Sequence, residues 1–191
     1  PLAFFHHVSY RIPAIRVLTD HFHAGYQACR HLLSSGRKHI VMLPCAQGPL
    51  IYKEWADGAR EALEEAGLPT QHTMVAPSGQ AGIQQILESL LKRPQLPDAL
   101  IAPSPQQALE TMSFLLSRNI AVPKDTALIS IGDAPANPYY TPSISALKAP
   151  AFEMGASVCH EIIKQIGSKK IKEKNIIKPM QLIIRKSTLS F

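Results

Sequence analysis

The chain has 191 residues, of which 46% are hydrophobic and 18% charged, so it is long enough to bury a core and does not belong to the disordered class. The sequence contains no apolar run of about 18 residues and no secretory signal pattern, which predicts neither a membrane span nor export. The net charge of +6 comes largely from a lysine-rich stretch between Lys164 and Lys186, which favours a solvated basic face over a nucleic-acid-binding surface.

The cysteines indicate a reducing environment. The chain has three, Cys29, Cys45 and Cys159, and each lies in or beside an apolar segment. An odd number of cysteines in such positions favours buried thiols over a disulfide framework. Together with the missing export signal, this predicts a cytoplasmic protein.

The first elements form a strand–helix–strand unit. Two short apolar strands are predicted over residues 2–5 and 15–18, and a third apolar run covers 40–43. Between the last two, apolar residues recur at helical spacing. Asp20 is a natural N-cap for this helix and Gly36 a natural left-handed residue just after its end.

The later elements alternate between helix and strand. Helices are predicted over 53–66, 80–92, 105 to about 119 and 150–166, and strands over 74–75, 99–102, 127–131, 143–147, 176–177 and 180–184. Ser104, Pro105 and Gln107 suit the N-cap, N1 and N3 positions of the third of these helices. In the last helix, the residues expected to face inward are Phe152, Ala156, Cys159, Ile163 and Ile166. Strands separated by single helices predict a parallel sheet in a doubly wound α/β fold.

Two residues are candidates for ligand binding because they follow predicted strands, and open α/β sheets bind ligands at the carboxyl ends of their strands. Trp55, the only tryptophan, lies just after the loop 44–49, where its ring would stack on a sugar or purine. Burial between helix and sheet is an equal alternative for this residue. Asp133 follows a buried strand, and a ligand role is favoured over a turn in which it bonds its own backbone.

Motifs for catalysis and metal binding are missing. His6-His7 and His21-Phe22-His23 carry imidazoles close together, yet neither Cys-x-x-Cys nor His-Glu-x-x-His accompanies them. The glycine-rich phosphate loops and the Gly-x-Ser-x-Gly nucleophile motif are absent as well. We therefore predict no bound metal, no cofactor and no catalytic residues, and the protein is not expected to be an enzyme.

A series of short motifs extends over nearly all of the chain. They are Asp20 with Gly25 and His31-Leu32; Gly58 with Ala62-Leu63 and Gly67; Gly82; Leu100-Ile101 with Ala108; Val122-Pro123-x-Asp125; Ser130-Ile131-Gly132-Asp133; Pro142-Ser143-Ile144-Ser145; Pro150-x-x-x-Met154-Gly155; and Leu182 to Thr188. No single motif is specific, but their order and spacing resemble the effector-binding domain of lactose-repressor-type (LacI/GalR) transcription regulators.

The resemblance implies the type I periplasmic-binding-protein-like fold, in which two doubly wound parallel-sheet lobes are joined by three crossings. Residues 1–18 and 149–178 would then belong to an N-terminal lobe that is incomplete here, and residues 19–148 and 179–191 to the C-terminal lobe. The family's helix-turn-helix DNA-binding domain would be absent from these residues.

The resemblance also implies an effector site, formed by Asp20, Trp55, Ser104, Gly132, Asp133 and His6. At several of these positions the chain departs from the family pattern. Trp55 replaces an effector-contacting arginine, Ser104-Pro105 replaces an Asn-Asp pair, and Gly132 replaces the first of two aspartates. His6 stands where a strand often ends in aspartate. Because these changes remove charged donors and acceptors, we expect a less charged and more aromatic pocket.

The implied function is that of the effector-sensing and dimerisation domain of a bacterial repressor. A sugar, sugar derivative or purine-like effector would control how a cytoplasmic homodimer binds operator DNA through the absent domain, without any membrane contact. One alternative is a periplasmic solute-binding protein of an importer, which shares the fold. Another is a small α/β enzyme that uses Asp133. The free cysteines and the ending Arg185-Lys186-Ser187-Thr188 favour the regulator.

Overall fold

The computed structural model describes residues 1–5, 11–44, 49–70, 82–167 and 172–189. These residues belong to two compact units. Unit 1 comprises Pro1–Asp20 and Ala149–Gln181, and unit 2 comprises His21–Lys148 and Leu182–Phe191. The chain therefore passes from one unit to the other after residues 20, 148 and 181. Within the described ranges, no helix combines the length and apolar character needed to cross a membrane.

The described helices and strands follow the order that the sequence predicts. In chain order they are β1 (Ala3–Phe5), β2 (Ile15–Thr19), α1 (His21–Ser34), β3 (Ile40–Met42), α2 (Pro49–Glu65), α3 (Ile83–Leu91), β4 (Ala99–Ala102), α4 (Pro105–Ser117), β5 (Ala127–Ile131), β6 (Ser145–Lys148), α5 (Ala151–Gln165), β7 (Lys174–Lys178) and β8 (Gln181–Ile183). Helix α2 begins at Pro49 rather than at residue 53. Proline suits this position because an N–H group in the first turn of a helix has no partner within the helix, so its absence costs no hydrogen bond. The strand predicted at 74–75 lies outside the described residues.

Two sheets form the framework, and their pairing confirms the α/β prediction. Unit 1 contains a three-stranded sheet in the order β1-β2-β7, with both pairs parallel. The other sheet has the order β3-β4-β5-β6-β8, and the first three of its pairs are parallel. All residues of β4 and β5 are buried, as parallel strands covered by helices on both faces require.

Helices α1 and α2 of unit 2 pack closely through two glycines. A Cβ atom on Gly25 would lie 1.9 Å from the main-chain oxygen of Trp55, and one on Gly58 would lie 2.0 Å from that of Phe22. The distance between packed helices depends on the side chains at their contact, so glycine at both positions lets the two backbones touch. This approach fixes α2, and with it Trp55, against α1.

Helix α5 of unit 1 packs through a different face from the one predicted. Met154 is buried against Ile15 and Val17 of β2, with Val158 and Ile162 beside them. The face predicted to point inward is open: the exposed fraction is 86% for Phe152, 67% for Ile163 and 66% for Ile166, and Ala156 and Cys159 are exposed as well. Both sets of residues recur with the helical period, so periodicity alone could not choose between them.

The cysteine prediction is correct for one residue and wrong for another. Cys29 is buried in α1, where burial raises the pKa of its thiol to about 12. Cys159 is exposed because it lies on the open face of α5. Cys45 lies outside the described residues.

The C-terminal segment is held inside unit 2 by a chain of hydroxyl groups. The Oγ1 atom of Thr188 lies 2.7 Å from Nε2 of His31 on α1 and 2.7 Å from Oγ of Ser145 on β6. The Ser187 hydroxyl donates to the carbonyl of Leu128 and accepts from the N–H of Ser145. Ser187 and Thr188 are fully buried, so these bonds satisfy polar groups that would otherwise be costly to bury.

The contact between α1 and α2 leads to a first prediction. Gly25→Ala should lower the free energy of unfolding by about 1–3 kcal/mol, since the added methyl group would overlap the backbone of α2 and force the helices apart. Urea denaturation followed by circular dichroism measures the change. Gly155→Ala is the matched control, because its Cβ would meet nothing within 4 Å. The control should be neutral or stabilising by up to about 1 kcal/mol, as expected for alanine in a helix. Equal stability of Gly25→Ala and wild type would contradict the close approach.

A second prediction concerns pH. Burial lowers the pKa of His31, so the folded protein binds this proton less tightly than the unfolded chain, whose histidine pKa is about 6.5. The stability from His31 is therefore complete above about pH 6.5 and is lost as the pH falls below that value.

Between about pH 7.5 and about pH 5, the free energy of unfolding should fall more for wild type than for His31→Gln. The variant keeps a side-chain amide near Thr188 but cannot titrate. All other ionisable groups are shared by the two proteins. Equal losses of unfolding free energy in both proteins would show that folding does not change the pKa of His31.

Candidate functional site

The candidate site of unit 2 lies where three parallel strands end. Pro44 follows β3, Ser104 follows β4 and Gly132 follows β5. Because neighbouring parallel strands end on the same side of a sheet, the segments after them meet at one edge. We call this the carboxyl edge and define it by Pro44, Ser104–Gln107 and Gly132–Asp133.

Ser104 caps α4 as predicted. Its Oγ atom accepts a hydrogen bond from the main-chain N–H of Gln107 at 3.2 Å, and Pro105 occupies the first turn. This bond satisfies one of the N–H groups that a helix start leaves unpaired. The Gln107 side chain donates to the carbonyl of Pro44 at 2.9 Å and so links α4 to the segment after β3.

Gly132 contacts the start of α4. It has a φ of +106°, and a Cβ atom built on it would lie 2.9 Å from Cδ of Pro105. Residues with side chains rarely adopt this backbone angle, and the proline ring fills the space in which a side chain would lie. The structure therefore brings Pro105, which follows Ser104, and Gly132 together, and effector contact by Ser104 and Gly132 stays a prediction.

Asp133 is held in an ion pair that sequence reasoning missed. Its two carboxylate oxygens accept from Nη1 and Nη2 of Arg185 at 2.8 and 2.9 Å, and Nδ2 of Asn137 donates to Oδ1 at 3.1 Å. Arg185 also donates to the carbonyl of Ile144 at 2.6 Å. Asp133 and Arg185 are 52 residues apart, and no local motif links them. These contacts give Asp133 a structural role, and its contact with an effector stays a prediction.

Trp55 is buried in unit 2, with 4% of its surface exposed. Its ring meets that of His21 edge-on, with centroids 5.6 Å apart and planes at 79°. Within the described residues, its indole N–H has no hydrogen-bond partner. The burial favours the packing interpretation of Trp55, whereas the unpaired donor is unusual for a purely structural tryptophan. Its role in effector binding stays a prediction.

The remaining predicted site residues, Asp20 and His6, do not belong to the described part of unit 2. Asp20 belongs to unit 1, where its main-chain N–H donates to the carbonyl of Lys178 at 3.0 Å. His6 lies outside the described residues. In the described ranges, no group of three or more histidine, cysteine, aspartate or glutamate side chains is arranged to hold a metal ion.

The ion pair provides a third prediction. Arg185→Met should lower the free energy of unfolding by at least about 2 kcal/mol, because it leaves the mostly buried carboxylate of Asp133 without its charge partner. Lys186→Met is the control, since Lys186 is exposed and its loss should change stability by less than about 0.5 kcal/mol. Chemical denaturation of the three proteins measures both effects, and similar stabilities would contradict a structural role for the pair.

Comparisons with known proteins agree with this architecture. A family model described as "Periplasmic binding protein-like domain" matches residues 29–188. The HTH-type transcriptional repressor PurR of Actinobacillus pleuropneumoniae is 25% identical over 154 residues, which are 79% of this chain and 46% of that protein.

Solved structures show the same fold. A LacI-family transcriptional regulator from Sanguibacter keddieii superposes with a TM-score of 0.86 at 23% identity, over 98% of this chain and 72% of that one. A LacI-family regulator from Enterococcus faecium with bound ribose gives a TM-score of 0.83 at 22% identity, over 98% and 70% of the two chains. These likenesses confirm the predicted type I fold.

The chain spans about half the length of the curated relatives it matches, with values of 46% and 54% for two of them. The family model, in contrast, covers most of the chain. The chain therefore belongs to the periplasmic binding protein-like domain family, in agreement with its resemblance to the effector-binding domains of lactose-repressor-type regulators.

Proposed function

We propose that this chain is the effector-binding region of a bacterial transcription repressor of the lactose-repressor type. The observation that carries the proposal is the family match over residues 29–188, together with relatives that are described as HTH-type transcriptional repressors and regulators. A small molecule bound between two lobes would favour one lobe arrangement and thereby change operator binding by a helix-turn-helix domain.

In this proposal, residues 1–18 and 149–178 belong to the N-terminal lobe and residues 19–148 and 179–191 to the C-terminal lobe. The division of the chain into two compact units supports this assignment. The exposed apolar side chain of Phe5 on β1 also supports it, because a complete lobe would cover such surface. The DNA-binding domain would lie outside these residues.

The regulator is preferred to the alternatives on chemical grounds and on the relatives' descriptions. A periplasmic solute-binding protein shares the fold, but the relatives compared above are transcription regulators. An enzyme that uses Asp133 would need a free carboxylate, and both oxygens of Asp133 are bonded to Arg185. We therefore propose a cytoplasmic homodimer without catalytic activity, whose effector is a sugar, a sugar derivative or a purine-like molecule.

A thermal-shift screen over sugars, sugar acids and purine bases tests this function. An effector present well above its Kd should raise the melting temperature, because it binds only the folded protein. The absence of any stabilising compound in such a panel would contradict the proposal.

The role of Trp55 is the fourth prediction. Trp55→Ala should weaken binding of the best compound from the screen by more than about 1 kcal/mol if the indole contacts it. Trp55→Phe keeps an aromatic ring but removes the N–H, so affinity that is lost in Trp55→Ala and retained in Trp55→Phe assigns the effect to ring stacking. Titration calorimetry gives the affinities and thermal melting the stabilities. Lower melting temperatures with unchanged affinity would make Trp55 a packing residue only.

A further inference from the structure

We propose that a second copy of this chain docks on the exposed face of α5, with the two helices antiparallel. We call this face the α5 stripe and define it by Phe152, Ala156, Cys159, Ile163 and Ile166. The inference rests on the homodimer of the proposed function and goes beyond it, because it names a surface that the two copies share.

The α5 stripe has the spacing of a contact between helices. Its residues are separated by four, three, four and three positions, which is the repeat that keeps one seam of a helix facing a partner helix. All of them are exposed, and the three large side chains are mostly accessible to solvent. The other face of α5, with Met154 at its centre, is buried against β2. The helix therefore has one apolar face that packs within unit 1 and a second that suits an external helix.

The α5 stripe is complementary to itself. When two copies of α5 lie antiparallel about a two-fold axis between residues 157 and 158, Phe152 of each copy lies opposite Ile163 of the other. Ala156 then lies opposite Cys159. Each contact occurs twice, as a two-fold interface requires. The small residues at the centre let the two backbones approach, and the large residues pack on both sides of them.

The charges beside the stripe match in the same arrangement. Glu153, His160 and Lys164 are exposed along one flank of α5. Antiparallel packing sets Glu153 of one copy opposite His160 of the other, with Lys164 one turn further on. Within the described residues Glu153 has no charged partner, and Lys164 is 3.8 Å from a carboxylate that Lys174 already contacts at 2.7 Å. The pairing between copies therefore complements charges that unit 1 leaves largely unused.

The size of the stripe sets the strength of the contact. Helix α5 has 15 residues, and only one of its faces is available. Stable interfaces involve about 20–30 residues on each side, so a single pair of helices forms a small one. We expect a dimer that dissociates at micromolar concentrations.

Sedimentation equilibrium of the full chain tests the charge pairing. Glu153→Arg sets cations against each other at both ends of the interface and should raise the dimer dissociation constant about tenfold. Adding His160→Glu to this variant exchanges the charges and should restore the wild-type value. Glu64→Arg is the control, since it makes the same change in net charge at an exposed position of α2 and should have no effect. Equal dissociation constants for Glu153→Arg and Glu64→Arg would overturn the inference.

Crosslinking tests the position of the axis. In a Cys45→Ser chain, a short bismaleimide should join Cys159 of the two copies, because the proposed axis leaves these residues only about 4.5 Å apart along the helices. Ala151→Cys combined with Cys159→Ser moves the exposed thiol to the start of α5. The two thiols are then about 20 Å apart along the helices, and the crosslink should be lost. Equal crosslinking from both positions would overturn the antiparallel arrangement.

These measurements separate the α5 contact from dimerisation as such. A dimer that Glu153→Arg leaves intact and that Cys159 does not crosslink would overturn the inference and leave the proposed homodimer standing. A chain that stays monomeric at millimolar concentration would overturn both. Circular dichroism shows whether each variant keeps the fold of the wild type.

Discussion

One ion pair ties the end of the chain to the edge of the larger sheet. Arg185 binds both carboxylate oxygens of Asp133 and the carbonyl of Ile144, and the side chains of the pair are only 15% and 10% exposed. Charges removed from water to this extent are tolerated only when the geometry is good and the remaining polar atoms are bonded. The loop after β5 takes its course from this contact, and so does the surface of the carboxyl edge.

The parts of the fold that could be predicted are those specified by neighbouring residues. Ser104 and Pro105 mark the start of α4 because capping depends on groups within one helical turn. Gly36 marks the end of α1 and has a φ of +86°, as its left-handed position requires. The buried strands β4 and β5 could be recognised because short apolar runs between helices have few other interpretations.

The parts that could not be predicted depend on contacts distant in sequence. The partner of Asp133 lies 52 residues away, and only the folded sheet brings Arg185 to it. The packing face of α5 was predicted wrongly because this helix has apolar residues on two faces, and the strands that select one of them are remote. Trp55 is a similar case: its sequence position suited ligand stacking and packing equally, and its burial comes from the approach of α1 to α2 at Gly25.

The hydroxyl chain that holds the C-terminal segment also fixes where one proton resides. Ser145 Oγ donates its single hydrogen to the carbonyl of Arg185, so it must accept at its contact with Thr188. Thr188 then gives its own hydrogen to Ser145 and can only accept from His31. The neutral imidazole of His31 is thereby restricted to the tautomer with hydrogen on Nε2, which leaves Nδ1 as the atom that takes up the second proton in acid.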